Sequence, residues 1–208
     1  FEGLSSETIT VTKQCLLDII GVTLAGAIEP LTHILREEIA EQGGHSQASV
    51  FGSGTKVNLA QAALINGTAG HAHDYDDVNS GMHGHPTVPV APAVLALAEY
   101  GSRSGRDVIT AIATGIDAES LVASYIGRSH YSRGWHATGT FGTFGAAAAS
   151  SQLLGLDVAT TAQAFGIAGT QAAALKGVFG TMTKPLHAGH AAATGIMAAS
   201  LAKRGFSS

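Results

Sequence analysis

Apolar residues recur near every 3.6 positions along most of the chain, the spacing that gives a helix one apolar face. Ser5 or Ser6 can cap a first helix, in which Ile9, Leu16 and Leu24 follow this spacing. Further helices are predicted over 31–42, 58–73, 89–100, 105–126, 146–154, 160–175 and 185–204. A short extended piece over 48–51 is the only strand-like run, so the pattern predicts an all-α fold.

Polar residues concentrate in the loop that follows the third predicted helix. Residues 71–86 hold three Asp and four His. If the helix continues to Asp77, then His71, Asp74 and Asp77 share one of its faces, and an imidazole between two carboxylates could shuttle protons. The structural alternative is that Asp76 and Asp77 cap helix ends, while His83 and His85 are ordinary loop residues.

A second candidate stretch is rich in glycine and runs from Gly134 to Gly145, within a segment over 127–143 that we predict to be irregular. Exposed amides at a helix start attract anions, and Thr138, Thr140 and Thr143 would add hydroxyl donors. His136 precedes the turn, where it could bind a carboxylate or accept a proton from carbon. The alternative is that these small residues allow close helix packing.

A third stretch, 180–190, contains Lys184 directly before Pro185. Proline favours an extended preceding residue and then a helix start, which would hold the ammonium beside helix-terminal amides as a carboxylate clamp. The alternative is a solvated surface lysine. His187 and His190 share a helix face, but they lie outside the usual zinc-binding motifs, so we expect no metal there.

Composition narrows the class of protein. Only 12% of residues are charged, and the 27 glycines suit helices that are covered on most sides, which favours contact with a further domain or subunit. The net charge of −4 and the scattered basic residues argue against nucleic-acid partners. A single cysteine suits a reducing, cytoplasmic location. The early apolar stretch Leu16–Ile28 is too short to span a bilayer, so we expect no membrane partner.

Four motifs, taken in order, resemble the MmgE/PrpD family, which includes 2-methylcitrate dehydratase, cis-aconitate decarboxylase and iminodisuccinate epimerase. The resemblance covers nearly the whole chain. It rests on Asn66-Gly-Thr-Ala-Gly-His-Ala-His-Asp-Tyr-Asp-Asp77, His85-Pro86, Trp135-His136 before the Gly-Thr-Phe-Gly run, and Thr183-Lys-Pro-Leu-His-Ala-Gly189.

The resemblance implies that residues 1–208 form the family's large helical domain, with the smaller α/β domain absent from this truncated or incomplete chain. It also implies a homodimer with its active site in a cleft between domains, acting without a metal or other cofactor. The implied reaction is proton transfer next to a carboxylate of a small polycarboxylate, by a lyase most similar to 2-methylcitrate dehydratase. Decarboxylation of cis-aconitate and epimerisation of iminodisuccinate are the near alternatives.

The resemblance also assigns roles to individual residues. Lys184 would hold a substrate carboxylate, His85 and His136 would exchange protons with carbon, and Asp74 would orient an imidazole. Val78 stands where family members commonly have Thr, which removes a hydroxyl from the expected substrate pocket. The expected substrate-binding residues are Val78, Thr140, Thr143 and His187.

Two readings from other functional classes remain open. In the first, His71, His73, Asp74 and Asp77 bind a divalent ion for a metal-dependent hydrolase. In the second, the domain is a non-catalytic packing or dimerisation module, and its Gly/Ala-rich faces serve helix contacts only.

Overall fold

A computed structural model describes all 208 residues, and its regular secondary structure is almost all helical, which confirms the predicted all-α fold. Two short strands, β1 (Ala48–Ser49) and β2 (Lys56–Val57), pair antiparallel, and a 3₁₀ turn spans Lys176–Val178. The helices are α1 (Ser6–Gly26), α2 (Pro30–Gln42), α3 (Leu59–Gly70), α4 (Thr87–Tyr100), α5 (Gly105–Ile126), α6 (Ser129–Ser132), α7 (Ala137–Leu154), α8 (Val158–Gly169) and α9 (Thr183–Lys203).

Side-chain caps fix three helix starts that the sequence predicts. Ser5 accepts a hydrogen bond from the Thr8 amide at the start of α1. Asn58 forms a reciprocal capping box at the start of α3, and Asp157 caps α8. These side chains satisfy amides that the first turn of a helix leaves free, so these boundaries are encoded locally.

The core is built on close backbone approach between helices. A Cβ on Gly67 of α3 would lie 2.7 Å from the Cα of Gly189 in α9, and one on Gly195 of α9 would lie 2.4 Å from the Ala146 Cβ in α7. Only glycine permits such crossings. The main apolar cluster joins α1, α3, α4, α5, α7 and α9 through residues that include Ile19, Ala62, Val88, Ile112, Ala146 and Ala188.

Much of the stretch predicted to be irregular over 127–143 is helical, because α6 lies within it and Gly139 and Gly142 lie inside α7 at contacts with other segments. A Cβ on Gly142 would lie 2.4 Å from the Pro89 ring, and one on Gly145 would lie 2.7 Å from the Glu119 carboxylate. The packing alternative therefore explains the glycines of α7. Of the glycines over 134–145, only Gly134, with φ of 97°, lies in a turn before the helix, so the glycine-rich turn is much shorter than predicted.

Other boundaries shift by a few residues. Helix α3 ends at Gly70, and Asp74 beyond it adopts a left-handed backbone with φ of 55°, so the predicted shared helical face over 71–77 was wrong. Helix α8 ends at Gly169, earlier than predicted. Helix α9 begins at Thr183, so Lys184 lies in its first turn and is not an extended residue before it.

The first helix is longer than the apolar stretch within it. Helix α1 has 21 residues and, by length and composition alone, is long and apolar enough to cross a membrane, a property that it shares with core helices and with signal sequences. In the fold it packs on α3, α4 and α5 through a face that includes Ile19, while Leu17 on the other side is exposed.

Candidate active site

The candidate site forms where four segments converge: the end of α3, the loop before α4, and the first turns of α7 and α9. Packing of α9 against both α3 and α7 brings these segments together. We call the resulting group the His–Asp–Lys cluster. It consists of His71, Asp74, Asp76, His85, His136, Lys184 and His187.

Asp74 lies at the exposed edge of the cluster. Its Oδ1 accepts a hydrogen bond from Lys184 Nζ and lies 3.3 Å from His85 Nε2. Partial burial would raise the pKa of Asp74, but the hydrogen bond and charge of Lys184 outweigh it and hold the pKa below its usual value. Asp74 is thus a carboxylate that connects the ammonium group to an imidazole.

Asp76 is buried beneath this edge. Its carboxylate oxygens lie 2.9 and 3.0 Å from His71 Nδ1, and one of them lies 3.3 Å from His85 Nδ1. Burial opposes ionisation, yet hydrogen bonds from the two imidazoles hold the pKa of Asp76 far below its usual value. The sequence suggested only a capping role for Asp76, so this contact was missed.

His85 sits between the two carboxylates. Its Nδ1 is 3.2 Å from the backbone oxygen of Asp76, and its own amide donates to the Thr138 hydroxyl at 3.0 Å, which ties the loop to α7. Burial lowers the pKa of His85, but the hydrogen bond and charge of Asp76, with help from Asp74, raise it above its usual value. His85 is therefore suited to carry a proton near neutral pH.

His136 is held in a contrasting environment. Its amide donates to the Ala174 oxygen at 3.0 Å, and its Nδ1 lies 3.1 Å from Nδ1 of His187. Gly139 makes room for this pair, because a Cβ there would lie 3.1 Å from the His187 Cβ. Burial, followed by the neighbouring cationic groups, lowers the pKa of His136 to about 3, so its ring is neutral and can accept a proton.

Three of the expected substrate-binding residues lie apart from this arrangement. The Val78 side chain is 69% exposed and lines a separate cavity of about 690 Å³. Thr143 is fully buried and donates to the Gly139 oxygen. The Thr140 hydroxyl is hydrogen-bonded to His130 Nε2 at 2.7 Å. Because both threonine hydroxyls are engaged within the protein, neither points freely into the cluster. His187, by contrast, belongs to it.

The ligand set expected for a metal-dependent hydrolase does not come together. His73 lies 3.5 Å from Glu29, and Asp77 binds the amide and hydroxyl of Thr87 at the start of α4. A different set offers ligand atoms within 4.8 Å of one another, namely His71, Asp74, Asp76 and His85. The Lys184 ammonium is hydrogen-bonded to Asp74 within that set and supplies positive charge where an ion would lie.

Comparison with known proteins agrees with the resemblance seen in the motifs. The chain is 32% identical to cis-aconitate decarboxylase of Homo sapiens in an alignment that covers 97% of this chain and 43% of that protein. It is 33% identical to cis-aconitate decarboxylase-like protein oryM of Aspergillus oryzae, over 98% of this chain and 44% of that protein. It is 31% identical to cis-aconitate decarboxylase of Aspergillus terreus, over 99% of this chain and 43% of that protein.

The chain thus spans less than half the length of these relatives. The family model described as "MmgE/PrpD N-terminal domain" matches residues 1–208. The chain therefore belongs to the MmgE/PrpD family and covers its N-terminal domain.

Proposed function

We propose that this domain carries the proton-transfer groups of a lyase that acts on a small polycarboxylate. The main support is that two imidazoles, those of His85 and His136, lie in one cluster with the Lys184 ammonium. Their pKa values are shifted in opposite directions, upward for His85 and downward for His136. Titratable groups separated in this way are typical of a paired proton donor and acceptor.

Each group has a role that its surroundings support. Lys184, whose side chain is only 12% exposed, would bind a substrate carboxylate in place of, or beside, Asp74. His85 would donate a proton to carbon, and Asp74 would orient its Nε2. His136, whose ring is neutral, would accept a proton, and His187 would fix its ring through the contact between their Nδ1 atoms.

The relatives favour decarboxylation of a cis-aconitate-like acid as the first reaction to test. In that reaction the carboxylate leaves as CO₂, its bonding electrons remain on the carbon skeleton, and a donor such as His85 adds one proton to carbon. Dehydration of a 2-methylcitrate-like acid is the second candidate. It needs a base to remove a proton from carbon and an acid to protonate the departing hydroxyl, and the pair of His136 and His85 offers both.

The decisive experiment uses the full-length protein that contains this domain. The protein is incubated separately with cis-aconitate, 2-methylcitrate and iminodisuccinate, and products are followed by proton NMR with and without a metal chelator. We expect release of CO₂ from cis-aconitate that the chelator leaves unchanged. Turnover of 2-methylcitrate alone would select dehydration, and inactivity on all three acids would refute the substrate class. Loss of a stoichiometric metal together with activity would support the hydrolase reading instead.

The homodimer is also a proposal. The low charge of the chain and its exposed apolar side chains, such as Leu17 and Tyr125, are compatible with a covered surface. Light scattering of the full-length protein would measure its mass in solution, and a monomer at micromolar concentration would contradict a stable dimer.

A further inference from the structure

Asp76 contacts more of the cluster's imidazoles than any other carboxylate, although it has no role in the reaction proposed above. Its side chain has no exposed surface. Both of its oxygens are within hydrogen-bond distance of His71 Nδ1, and the same carboxylate reaches His85 Nδ1. Burying a charge costs desolvation free energy, so the contacts that this carboxylate makes with two imidazoles point to a specific role.

An ionised carboxylate can only accept hydrogen bonds. Both His71 and His85 must therefore carry a proton on Nδ1 when they face Asp76. The opposite nitrogen of His85, Nε2, is then directed at Asp74 and the adjacent Lys184, the place where the substrate is proposed to bind. Nε2 of His85 also faces a carboxylate, since Oδ1 of Asp74 lies 3.3 Å away, so both ring nitrogens are donors when the ring is charged. The neutral ring keeps one proton, which we place on Nδ1 because Nδ1 faces two oxygens of Asp76, whereas the Asp74 oxygen already accepts a hydrogen bond from Lys184.

His71 extends the influence of Asp76 to the second imidazole. Its ring is fully buried, and its Nε2 has no hydrogen-bond partner, so its only polar attachment is the carboxylate. The same ring contacts His85 edge-on, with centroids 4.7 Å apart, and stacks on His136 with centroids 5.6 Å apart. The pair of Asp76 and His71 is thus a buried support against which both proton-transfer rings pack.

We propose that Asp76 is the positioning residue of this site, holding the proton of His71 and of His85 on Nδ1 and thereby directing Nε2 of His85 at the substrate. The role toward a substrate rests on the proposed function. The assignment of the ring protons to Nδ1 does not depend on any reaction. Asp76 acts through the imidazoles and does not itself touch the reacting atoms.

The first test measures the tautomer in the parent protein. Ring-¹⁵N-labelled histidine is incorporated into the full-length protein, and long-range ¹H–¹⁵N spectra are recorded at alkaline pH, where the rings are neutral. His71→Gln and His85→Gln variants assign the two signals. We expect Nδ1–H forms for both rings. An Nε2–H form for His85 would overturn the proposal even if no substrate were known, so this outcome is distinct from failure of the proposed function.

The second test removes the acceptor pair while keeping the shape of the side chain. An Asp76→Asn amide removes the negative charge and replaces one oxygen with an NH2 donor. Because both oxygens of Asp76 lie within hydrogen-bond distance of His71 Nδ1, the NH2 group faces the Nδ1–H of His71 whichever way the amide is oriented. We expect kcat on the substrate identified above to fall by about 10²-fold or more, with KM changed by less than about threefold because Lys184 is untouched. Asp76→Glu, which restores a carboxylate, should recover part of kcat and the Nδ1–H signals.

Asp77→Asn is the matched control, because Asp77 is the adjacent carboxylate of the same loop and binds Thr87 instead of an imidazole. We expect it to leave kcat within about threefold and both tautomers unchanged. Circular dichroism checks that each variant is folded. A folded Asp76→Asn protein with kcat near that of the parent, or with a raised KM at unchanged kcat, would overturn the positioning role.

Discussion

Glu119 of α5 provides a direct test of how this fold tolerates a buried carboxyl group. Its side chain has no exposed surface, and neither carboxyl oxygen has a hydrogen-bond partner. It faces Gly145 of α7, the glycine whose missing Cβ leaves it space. Burial, and secondarily the negative charge of Asp77, raise the pKa of Glu119 well above its usual value of 4.5. The carboxyl is therefore protonated in the folded protein over a pH range in which it ionises in the unfolded chain.

The sign and size of the effect follow from linkage. Below the pKa of the carboxyl in the unfolded chain, near 4.5, Glu119 is protonated in both states and does not reduce the stability of the fold. As pH rises from that value toward the higher pKa in the folded protein, only the unfolded chain releases the proton, so the free energy of unfolding falls. Each pH unit between the two values costs about 1.4 kcal/mol of unfolding free energy. A Glu119→Gln change keeps the shape and removes the titration, so the variant should lose less stability than the parent as pH rises.

Urea unfolding of parent and variant, followed by circular dichroism at about pH 5, 6, 7 and 8, measures this difference. We expect similar stability at the lowest pH and an advantage for Glu119→Gln that grows by about 1.4 kcal/mol per unit while the carboxyl of the folded protein stays protonated. Asp117→Asn, an exposed carboxyl on the same helix, is the control and should show no such trend. Parallel pH profiles for parent and Glu119→Gln would refute the reasoning.

Four further predictions concern the site and the helix crossings. His136→Ala should lower kcat by about 10²- to 10⁴-fold in steady-state assays with thermal stability retained, whereas a non-catalytic module would leave turnover within a few fold. Lys184→Ala should chiefly raise KM, because it removes the ammonium that binds a substrate carboxylate; an unchanged KM would contradict that role. Activity that needs protonated His85 should fall as pH rises through a pKa above 6.5, and a pH–rate profile with no such limb would exclude it as donor. Gly189→Ala should lower the unfolding free energy by more than about 2 kcal/mol, since its Cβ would meet a backbone oxygen of α3 at 2.1 Å, whereas exposed Gly21→Ala in α1 should be neutral or stabilising.

Features that depend on neighbouring residues in the sequence were predictable. The caps at Ser5, Asn58 and Asp157 act on amides three positions away, so the sequence alone indicates them. The dense group of His and Asp residues was also visible as a candidate for proton chemistry. Its members His85 and Asp74 do meet in the fold, as the family resemblance implies.

Features that depend on distant segments were not predictable. Glycines such as Gly142 are typical of turns locally, and only the approach of α4 and α5 to α7 makes them residues of a helix crossing. Aspartate is a common helix cap, so the sequence suggests that role for Asp76. Its role as an imidazole partner depends on the fold, which directs Nδ1 of His71 and Nδ1 of His85 at the same carboxylate. The separate location of Val78 has the same origin, because it depends on how the loop after the left-handed Asp74 packs in the fold.

Helix α9 carries Lys184 and His187 at one end and crosses α3 and α7 at Gly189 and Gly195. At those crossings backbone meets backbone, with no rotatable side chain between the helices to absorb an adjustment. Substitutions in the core therefore have little scope to shift the ammonium and imidazole by small steps without loosening the whole bundle. Changes of substrate preference in this scaffold should instead arise in the loop over 78–84, which can vary while Asp76, His85 and the helices that hold Lys184 and His187 keep their spacing.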